Sequence, residues 1–526
     1  MDLRLLISST EMKIYVTSEM FLWTAVAVAA AVLVLILTRS RRKAATNSRI
    51  PPGPPGWPIL GNILDLGFKP HKTLVDLKTR YGPLVWLRLG SVNTLVVCSA
   101  EAAMEMFKYH DHSTCNRHLN ETMKVGGTYG ATITLGEYGP YWRMLRRLCV
   151  AELFSRKRII DTAPLRRRCV DKLIKWIDDE AKEQSEHGVE LARYVFASAF
   201  NVMGNIMLSR DLVDPKSSKG NEFFNLTSEL TAITGKPNLA DFFPVLRWFD
   251  PQGLKKHTEE KKNQVLDIVD SFIEGRRRQD IEGKQSRNKE QKDLLDVLME
   301  FEGNGKDEPA KISDRNLNIF ILELFIGASE TTNSTVEWAM AELLRQPEAM
   351  KKVKAEITKV VGFQRNLEES DIKDLHYLDA VIKETLRLHP PLPLLIPRTT
   401  IKDMELMGYI IPKDTQIFIN VWGLGRDPCS WEDADSFKPE RFIDASNLDY
   451  RGQNFDYLPF GAGRRICPGI PLGHQMLHLV LGSLIHSFDW SLANGVTPET
   501  LDMGERMGTS LRKDIPLKAI PKPLFI

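Results

Sequence analysis

The alternation of apolar and polar positions changes character several times along the chain. Residues 20–37 (MFLWTAVAVAAAVLVLIL) form a run of eighteen residues without a charge. As a helix rising about 1.5 Å per residue, that run spans roughly 27 Å, close to the hydrocarbon core of a bilayer. Asp2, Glu11 and Glu19 offset Arg4 and Lys13 before it, whereas Arg39, Arg41, Arg42, Lys43 and Arg49 follow it. A cleaved signal peptide carries its basic segment first. The pattern therefore predicts an uncleaved anchor, with the basic flank and the bulk of the chain in the cytosol. The next segment, PPGPPGWPILGN at 51–62, cannot be helical, because proline lacks the N–H and restricts the residue before it. It predicts a stiff, extended connector.

Beyond the connector, the pattern from about residue 70 to 240 is mostly helical, with a strand-like pair at Leu84–Leu89 and Thr94–Cys98. The polar stretch 275–295 reads as an exposed loop. Ser313 and Asp314 are good N-cap residues, and a helical pattern runs from them to Arg345, just before Pro347. Within it Val336, Ala339, Met340, Leu343 and Leu344 recur at helical spacing. So long a helix is expected to cross the whole domain. Asp371–Leu388 predicts another amphipathic helix, closed by His389-Pro390-Pro391. Residues 400–420 alternate as short strands, and a last helix runs from Gly469 to about Phe488. The expected fold class is mainly α with a small β region.

Composition narrows the function classes. The 526 residues carry 70 basic and 68 acidic side chains, 43% hydrophobic and 26% charged residues, which suits a globular protein with a sizeable core and excludes disorder or a fibre. No stripe of Lys and Arg interleaves with aromatics, so no nucleic-acid partner is expected. Cys98, Cys115, Cys149, Cys169, Cys429 and Cys467 are too scattered for a disulfide scaffold. In the reducing compartment they imply, a special cysteine is a ligand or a nucleophile. The glycosylation sequons at Asn120, Asn225 and Asn333 are then chance matches, because such sites matter only in a lumenal or secreted chain.

One cysteine has a distinctive setting, FGAGRRICPG at 460–469. Gly461, Gly463 and Gly469 allow tight turns that point backbone N–H groups at the sulfur of Cys467. A helix opening just after it adds its positive end. Both offset the charge of a buried thiolate and prepare it as a metal ligand. Arg465 is placed to reach an anionic group beside the ligand. One thiolate without a second cysteine nearby argues against zinc and iron–sulfur clusters, which take about four ligands, and suits an axial position on haem iron.

This segment resembles the haem-binding signature of the cytochrome P450 family, F-x-x-G-x-R-x-C-x-G, with every fixed position matched: Phe460, Gly463, Arg465, Cys467 and Gly469. Other motifs of that family follow. Glu384-Thr385-Leu386-Arg387 carries ExxR, which alone is usually a solvated pair of little worth, and Pro439-Glu440-Arg441-Phe442 resembles its PERF partner. Trp142 to Arg146 resembles the WxxxR helix, and Arg398 lies in LLIPR. An indole N–H and a guanidinium one turn apart can both donate to one carboxylate. GASETT at 327–332 resembles (A/G)-G-x-(D/E)-T-(T/S), in which a helical hydroxyl beside an acid supports proton delivery to dioxygen.

The resemblance covers about residue 20 to the carboxyl end. It implies haem b as cofactor, with Cys467 as the axial metal ligand and Trp142, Arg146, Arg398, Phe460 and Arg465 as haem-binding residues. It further implies Glu330 and Thr331 as catalytic residues, and Glu384, Arg387 and Arg441 as a buried structural triad. Two positions depart from the pattern: Ala328 where glycine is usual, whose methyl is expected to narrow the oxygen groove, and Gly473 where alanine is common. The cluster His110, His112, Cys115 and His118 matches no closed zinc spacing and falls where the family has a substrate-facing loop.

The wording of these segments is that of plant endoplasmic-reticulum enzymes, most like the group containing geraniol and iridoid hydroxylases. The implied organisation is a lumenal terminus at 1–19, a single-pass anchor at 20–38, a basic and proline-rich connector at 39–62, and a cytosolic catalytic domain at 63–526. The implied reaction is monooxygenation of a small lipophilic plant metabolite by dioxygen, with electrons from NADPH–cytochrome P450 reductase; the remaining partner is membrane lipid. A monoterpenoid or iridoid comes first as substrate, with alkaloid, diterpenoid and phenolic alternatives. Pocket candidates by family position are the 112–130 loop, Phe325, Ala328, Leu394 to Ile396, and Met507 to Ser510. Two other classes stay open: a haem-thiolate isomerase or dehydratase, against which Thr331 speaks, and a non-catalytic haem protein, which only Ala328 favours.

Overall fold

A computed structural model describes residues 49–183, 187–281, 292–444 and 448–524. The expected anchor lies outside these ranges. Among the described residues, no helix is long and apolar enough to cross a membrane.

Helix α1 (Pro70–Tyr81) opens on a proline, where the missing N–H costs nothing, and buries His71, Leu74 and Leu77. The hairpin β1 (Leu84–Leu89) and β2 (Val92–Val97) follows in antiparallel register. Strand β3 (Asn116–Arg117) is short. Helix α2 (Pro140–Cys149) contains the WxxxR segment. Helix α3 (Leu191–Leu208) is buried on nearly every face, which its apolar sequence allows. Helix α4 (Ser218–Thr234) is capped by the Ser217 hydroxyl, which accepts the Gly220 N–H.

Helix α5 (Leu254–Ile281) runs into the stretch expected to be an exposed loop. Its last turns are polar yet helical because their charges have partners: Arg276 is 1% exposed and reaches Asp293 and Asp296 at 3.2 and 3.0 Å. Arg277 meets Asp314 at 2.7 Å. A short helix, Leu294–Met299, resumes with Asp293 and Asp296 closing a capping box. The long helix α6 (Asp314–Arg345) has the predicted ends, with Ser313 accepting the Asn316 N–H. Val336, Ala339, Met340, Leu343 and Leu344 are all buried.

The helix expected over 371–388 begins later. Residues Glu369–Asp374 form a separate 3-10 turn, held by a bidentate pair from Arg365 to Asp371 at 2.6 and 2.8 Å. After the break at Leu375, α7 (His376–Leu388) starts where the Glu356 carboxylate accepts the N–H groups of Tyr377 and Leu378. Strands β4 (Arg398–Thr399) and β5 (Gln416–Ile419) complete a five-stranded sheet of order β1–β2–β5–β4–β3, parallel only between β2 and β5. Helix α8 (Ile470–Ser487) follows Cys467, and the hairpin of β6 (Glu505–Met507) and β7 (Leu511–Lys513) ends the part that shapes the site. The main core lies where α3, α6, α7 and α8 meet, and a smaller one lies under the sheet.

Candidate active site

Cys467 sits in a turn that only glycines at two positions permit. Gly461 and Gly463 have φ of +70° and +69°, where a side chain is strained, and a Cβ on Gly463 would fall 2.2 Å from Asp111 Oδ1. Gly469 has φ of −81° and serves as the N-cap of α8 instead. Burial pushes the Cys467 thiol up, while the backbone N–H groups of Gly469 and Ile470 and the charge of Arg146 pull it back. The site thus opposes the desolvation of a thiolate with fixed dipoles.

Four guanidiniums line one side of the cavity above this sulfur: Arg117, Arg146, Arg398 and Arg465. Arg117 and Arg398 are direct cross-strand partners on β3 and β4, a like-charge pairing that is unfavourable by itself. Most of the hydrogen bonds they make go to carbonyl oxygens: Arg117 to Thr134 and Ile396 at 2.9 and 2.8 Å, Arg146 to Ile466 at 2.6 Å, and Arg465 to Cys115 and Gly136 at 2.8 and 2.6 Å. Asp111 answers Arg398 at 2.8 Å but also Arg464 at 2.9 Å. Burial, then repulsion by the neighbouring arginines, holds Arg117 well below its usual range. Arg465 is lowered to about 10, chiefly by burial. Glu323 of α6 accepts the N–H groups of Ile133 and Thr134 at 2.8 and 2.6 Å, and burial pushes it up to about 7. The cluster therefore carries buried positive charge that its own carboxylates do not balance.

Behind the cysteine, Arg387 donates twice to Glu384, both at 2.7 Å, and Arg441 Nε donates to the same carboxylate at 3.0 Å. Glu384 and Arg387 have no exposed side-chain surface.

The cavity of about 480 Å³ runs without interruption from Cys467, Phe460 and the arginines to a mostly apolar roof. α6 contributes Gly327, Ala328, Glu330 and Thr331, and the helix stays regular through them. Thr331 Oγ1 donates to the Gly327 carbonyl at 2.8 Å. The Glu330 carboxylate is ion-paired with Arg512 of β7, and Arg512 also donates to Ser228 of α4 at 3.2 Å. Thr231 and Thr234 of α4 meet Thr509 of the hairpin through bonds of 2.9 and 2.7 Å. At Gly235 the backbones are so close that a Cβ would fall 2.1 Å from Gly508.

The model of the cytochrome P450 family matches residues 51–519. The chain belongs to the cytochrome P450 family. It is 48% identical to an iridoid oxidase of Catharanthus roseus over 92% of this chain and 94% of that protein. It is 39% identical to a geraniol 8-hydroxylase of Swertia mussotii, over 91% and 94%. A zebra fish cytochrome P450 structure with progesterone superposes with a TM-score of 0.71 at 25% identity, covering 86% of this chain and 99% of that one.

As a cytochrome P450 the protein is a monooxygenase whose cofactor is haem b with a cysteine thiolate on the iron. The residues present fit that group: an unbalanced set of buried arginines suits two propionates, and a thiolate turn faces the same cavity. Of the haem-binding expectations, Arg146, Arg398, Phe460, Arg465 and Cys467 line the cavity. Trp142 is placed differently. It is buried outside the lining, its indole N–H donates to the Ile133 carbonyl at 2.8 Å, and its ring lies under the Arg465 guanidinium at 4.4 Å. Its one donor is thus engaged by a carbonyl and its ring by an arginine.

Among the pocket candidates, Thr122, Met123, Thr128, Tyr129, Ala328, Leu395, Ile396, Thr509 and Ser510 line the cavity, whereas Phe325, Leu394 and Met507 do not. Phe325 stacks on Phe200 of α3 at 4.3 Å, inside the main core. Two site residues escaped the sequence reading, Glu323 in the cavity lining and Arg512 behind Glu330, and Arg117 enters it only as part of the 112–130 loop, with no role given. Each is an isolated charge in sequence, and only strand pairing or helix packing brings it to the site. The rival cluster does not converge on a metal position: Cys115 Sγ donates to the His112 carbonyl at 3.0 Å, and His118 hangs from Pro397 by its backbone. Asn333 is buried in α6, which removes it as a glycosylation site.

Proposed function

We propose that this P450 hydroxylates a monoterpenoid or iridoid, drawing electrons from NADPH–cytochrome P450 reductase at the endoplasmic-reticulum membrane. The observation that carries the reading is the continuity of the cavity: one mostly apolar space is lined by Cys467 and the arginines at one part and by Leu230, Leu322 and Ala328 at another. The apolar lining beyond the part that the haem would fill suits a lipophilic molecule. The likeness to an iridoid oxidase and a geraniol 8-hydroxylase selects the terpenoid class. In this reading Cys467 is the iron ligand, Phe460 flanks the haem beside it, and Arg117, Arg146, Arg398 and Arg465 hold the propionates, with Trp142 bracing Arg465. The haem supplies oxygen activation when bound.

The chain's own residues orient the substrate, exclude water and supply protons. Thr331 presents its hydroxyl oxygen to the cavity while its proton is given to Gly327. Glu330, one residue away and held as a carboxylate by Arg512, relays protons by accepting one from solvent and passing it on towards that hydroxyl.

Membrane attachment fits an anchor at 20–38, with the body at 63–526 on the cytosolic side. Exposed Trp57, Ile59 and Phe68 near the connector, and Val245, Trp248 and Phe249 after α4, support it. The two groups are tied together by the turn between β1 and β2, where Gly90 N–H donates to Leu60 and Ser91 N–H to Phe242, at 3.0 and 2.9 Å.

The test is a reduced carbon-monoxide difference spectrum on membranes from an expressing host, followed by product analysis with monoterpene alcohols and iridoids. A band near 450 nm is the signature expected of thiolate-ligated haem in this family; Cys467→Ala should abolish it. Terpenoid oxidation should then require both NADPH and reductase. A normal band without oxidation of any terpenoid tested would reject the substrate class and keep the chemistry.

A further inference from the structure

We propose that Asp379 of α7 and His474 and His478 of α8 form a binding site for a divalent transition-metal cation of the zinc class, separate from the active site. The two histidines lie one helical turn apart on the same face, and Asp379 comes from the facing helix. One ligand atom from each of the three lies within 4.8 Å of the others.

The argument turns on His478, which is fully buried. Its Nδ1 is 2.7 Å from the His474 carbonyl, and its Nε2 is 3.1 Å from Asp379 Oδ1. Both neighbours are acceptors, whereas a neutral imidazole has a single N–H. A neutral ring therefore turns a lone pair towards one of the oxygens. A second proton or a cation between Nε2 and Oδ1 removes that conflict, and only the cation also engages His474. Two ligands at about 2.0–2.1 Å on a tetrahedral ion stand about 3.3 Å apart, close to the separation found.

The surroundings orient each ligand as metal sites require. The His474 carbonyl takes the Nδ1 proton of His478 and leaves Nε2 for the ion. The Tyr450 hydroxyl lies 2.5 Å from His474 Nδ1, which leaves the Nε2 of that ring. Lys383 holds Asp379 Oδ2 at 2.9 Å and leaves Oδ1. Asp379 and His474 are partly exposed, which gives an ion a way in. Tyr450 packs on Phe460 at 5.2 Å, so the ion would tie α7 to α8 just behind the cysteine turn.

The experiment uses the purified full-length, haem-loaded protein, dialysed against micromolar zinc and then metal-free buffer, with zinc and iron counted together by mass spectrometry. Wild type should keep about one zinc per iron, while His474→Gln and Asp379→Asn keep at least ~10-fold less with the 450 nm band intact. Zinc should also raise the thermal unfolding midpoint of wild type and leave that of His474→Gln unchanged. Equal zinc in wild type and His474→Gln, or none retained by wild type, would overturn the site. Should Asp379→Asn lose its haem, the more exposed His474→Gln decides alone.

Discussion

The two sides of the haem cavity are built on opposite principles. On the cysteine side, charged groups are buried and fully engaged: Glu384 takes three N–H donations from Arg387 and Arg441, and glycines with positive φ fix the turn. On the roof side, α4, α6 and the β6–β7 hairpin meet mostly through neutral threonine bonds, a close glycine contact and apolar packing, with the Glu330–Arg512 ion pair as the charged exception. A buried charge left without its partner costs about 3–5 kcal/mol, while a neutral hydrogen bond contributes about 1 kcal/mol. The first side is therefore brittle and determines whether the enzyme forms. The second is adjustable and determines what it accepts.

The sharpest way to break this contrast is at the triad. Glu384→Ala leaves Arg387 and Arg441 facing an empty position, and the expected outcome is loss of the 450 nm band together with most folded protein. Retention of a normal band and yield would mean that the cysteine side is no more brittle than the roof. Next comes the boundary between the two sides. Thr331→Ala should keep the haem spectrum but lower product formation by about 10²-fold, the lower range for a lost proton-transfer group, with consumed NADPH appearing as hydrogen peroxide. Peroxide assays on the same turnovers test this directly, and a fall in product without peroxide would remove Thr331 from proton supply.

Arg512 sharpens the comparison further, because it brings a buried charge into the roof side, pairing with Glu330 of α6 and bonding Ser228 of α4. Arg512→Gln should lower product per NADPH by about 10-fold and leave the haem band unchanged, and Arg512→Lys should recover part of the loss. Failure of lysine to rescue would show that the charge on Glu330 is not what matters.

The contrast also explains what was legible in the sequence. The cysteine side is written in contiguous segments such as FGAGRRICPG and ETLR, because a tight turn and one helical turn are local structures. The chemistry of the cysteine turn follows from residue type and spacing, whereas the role of ETLR comes only with the family resemblance. The roof is assembled from segments far apart in the chain, so Arg512 meets Glu330 only because the β6–β7 hairpin packs on α6; among the arginines, Arg117 likewise becomes a site residue only through its pairing with Arg398 across β3 and β4. Phe325 shows the reverse error: an apolar residue near the oxygen motif was expected in the pocket, but its place on α6 turns it towards Phe200. Helix ends were readable where a cap was present, as at Ser313, and misread where partners were distant. Arg276 extends α5 through Asp293 and Asp296, and Glu356 sets the start of α7.

The smallest effect tests the adjustable side. Thr509→Val keeps the shape of the hairpin tip and removes the hydroxyl that meets Thr231 and Thr234. Each lost neutral bond is worth about 1 kcal/mol, too little to unfold the domain but enough to loosen the hairpin against α4 at the cavity roof. The expected result is an unchanged haem band, a loss of roughly 2 kcal/mol of stability from the two bonds, and a turnover rate within about 5-fold of wild type, because loosening the cavity wall reaches the transition state only in part. The ratio of products from one terpenoid should change by a similar factor, because Thr509 and Thr231 border the space that orients the substrate. Product ratios measured by gas chromatography on matched turnovers read this out. Identical ratios would show that the roof is as firmly set as the cysteine turn, and the division between a fixed side and an adjustable one would have to be given up.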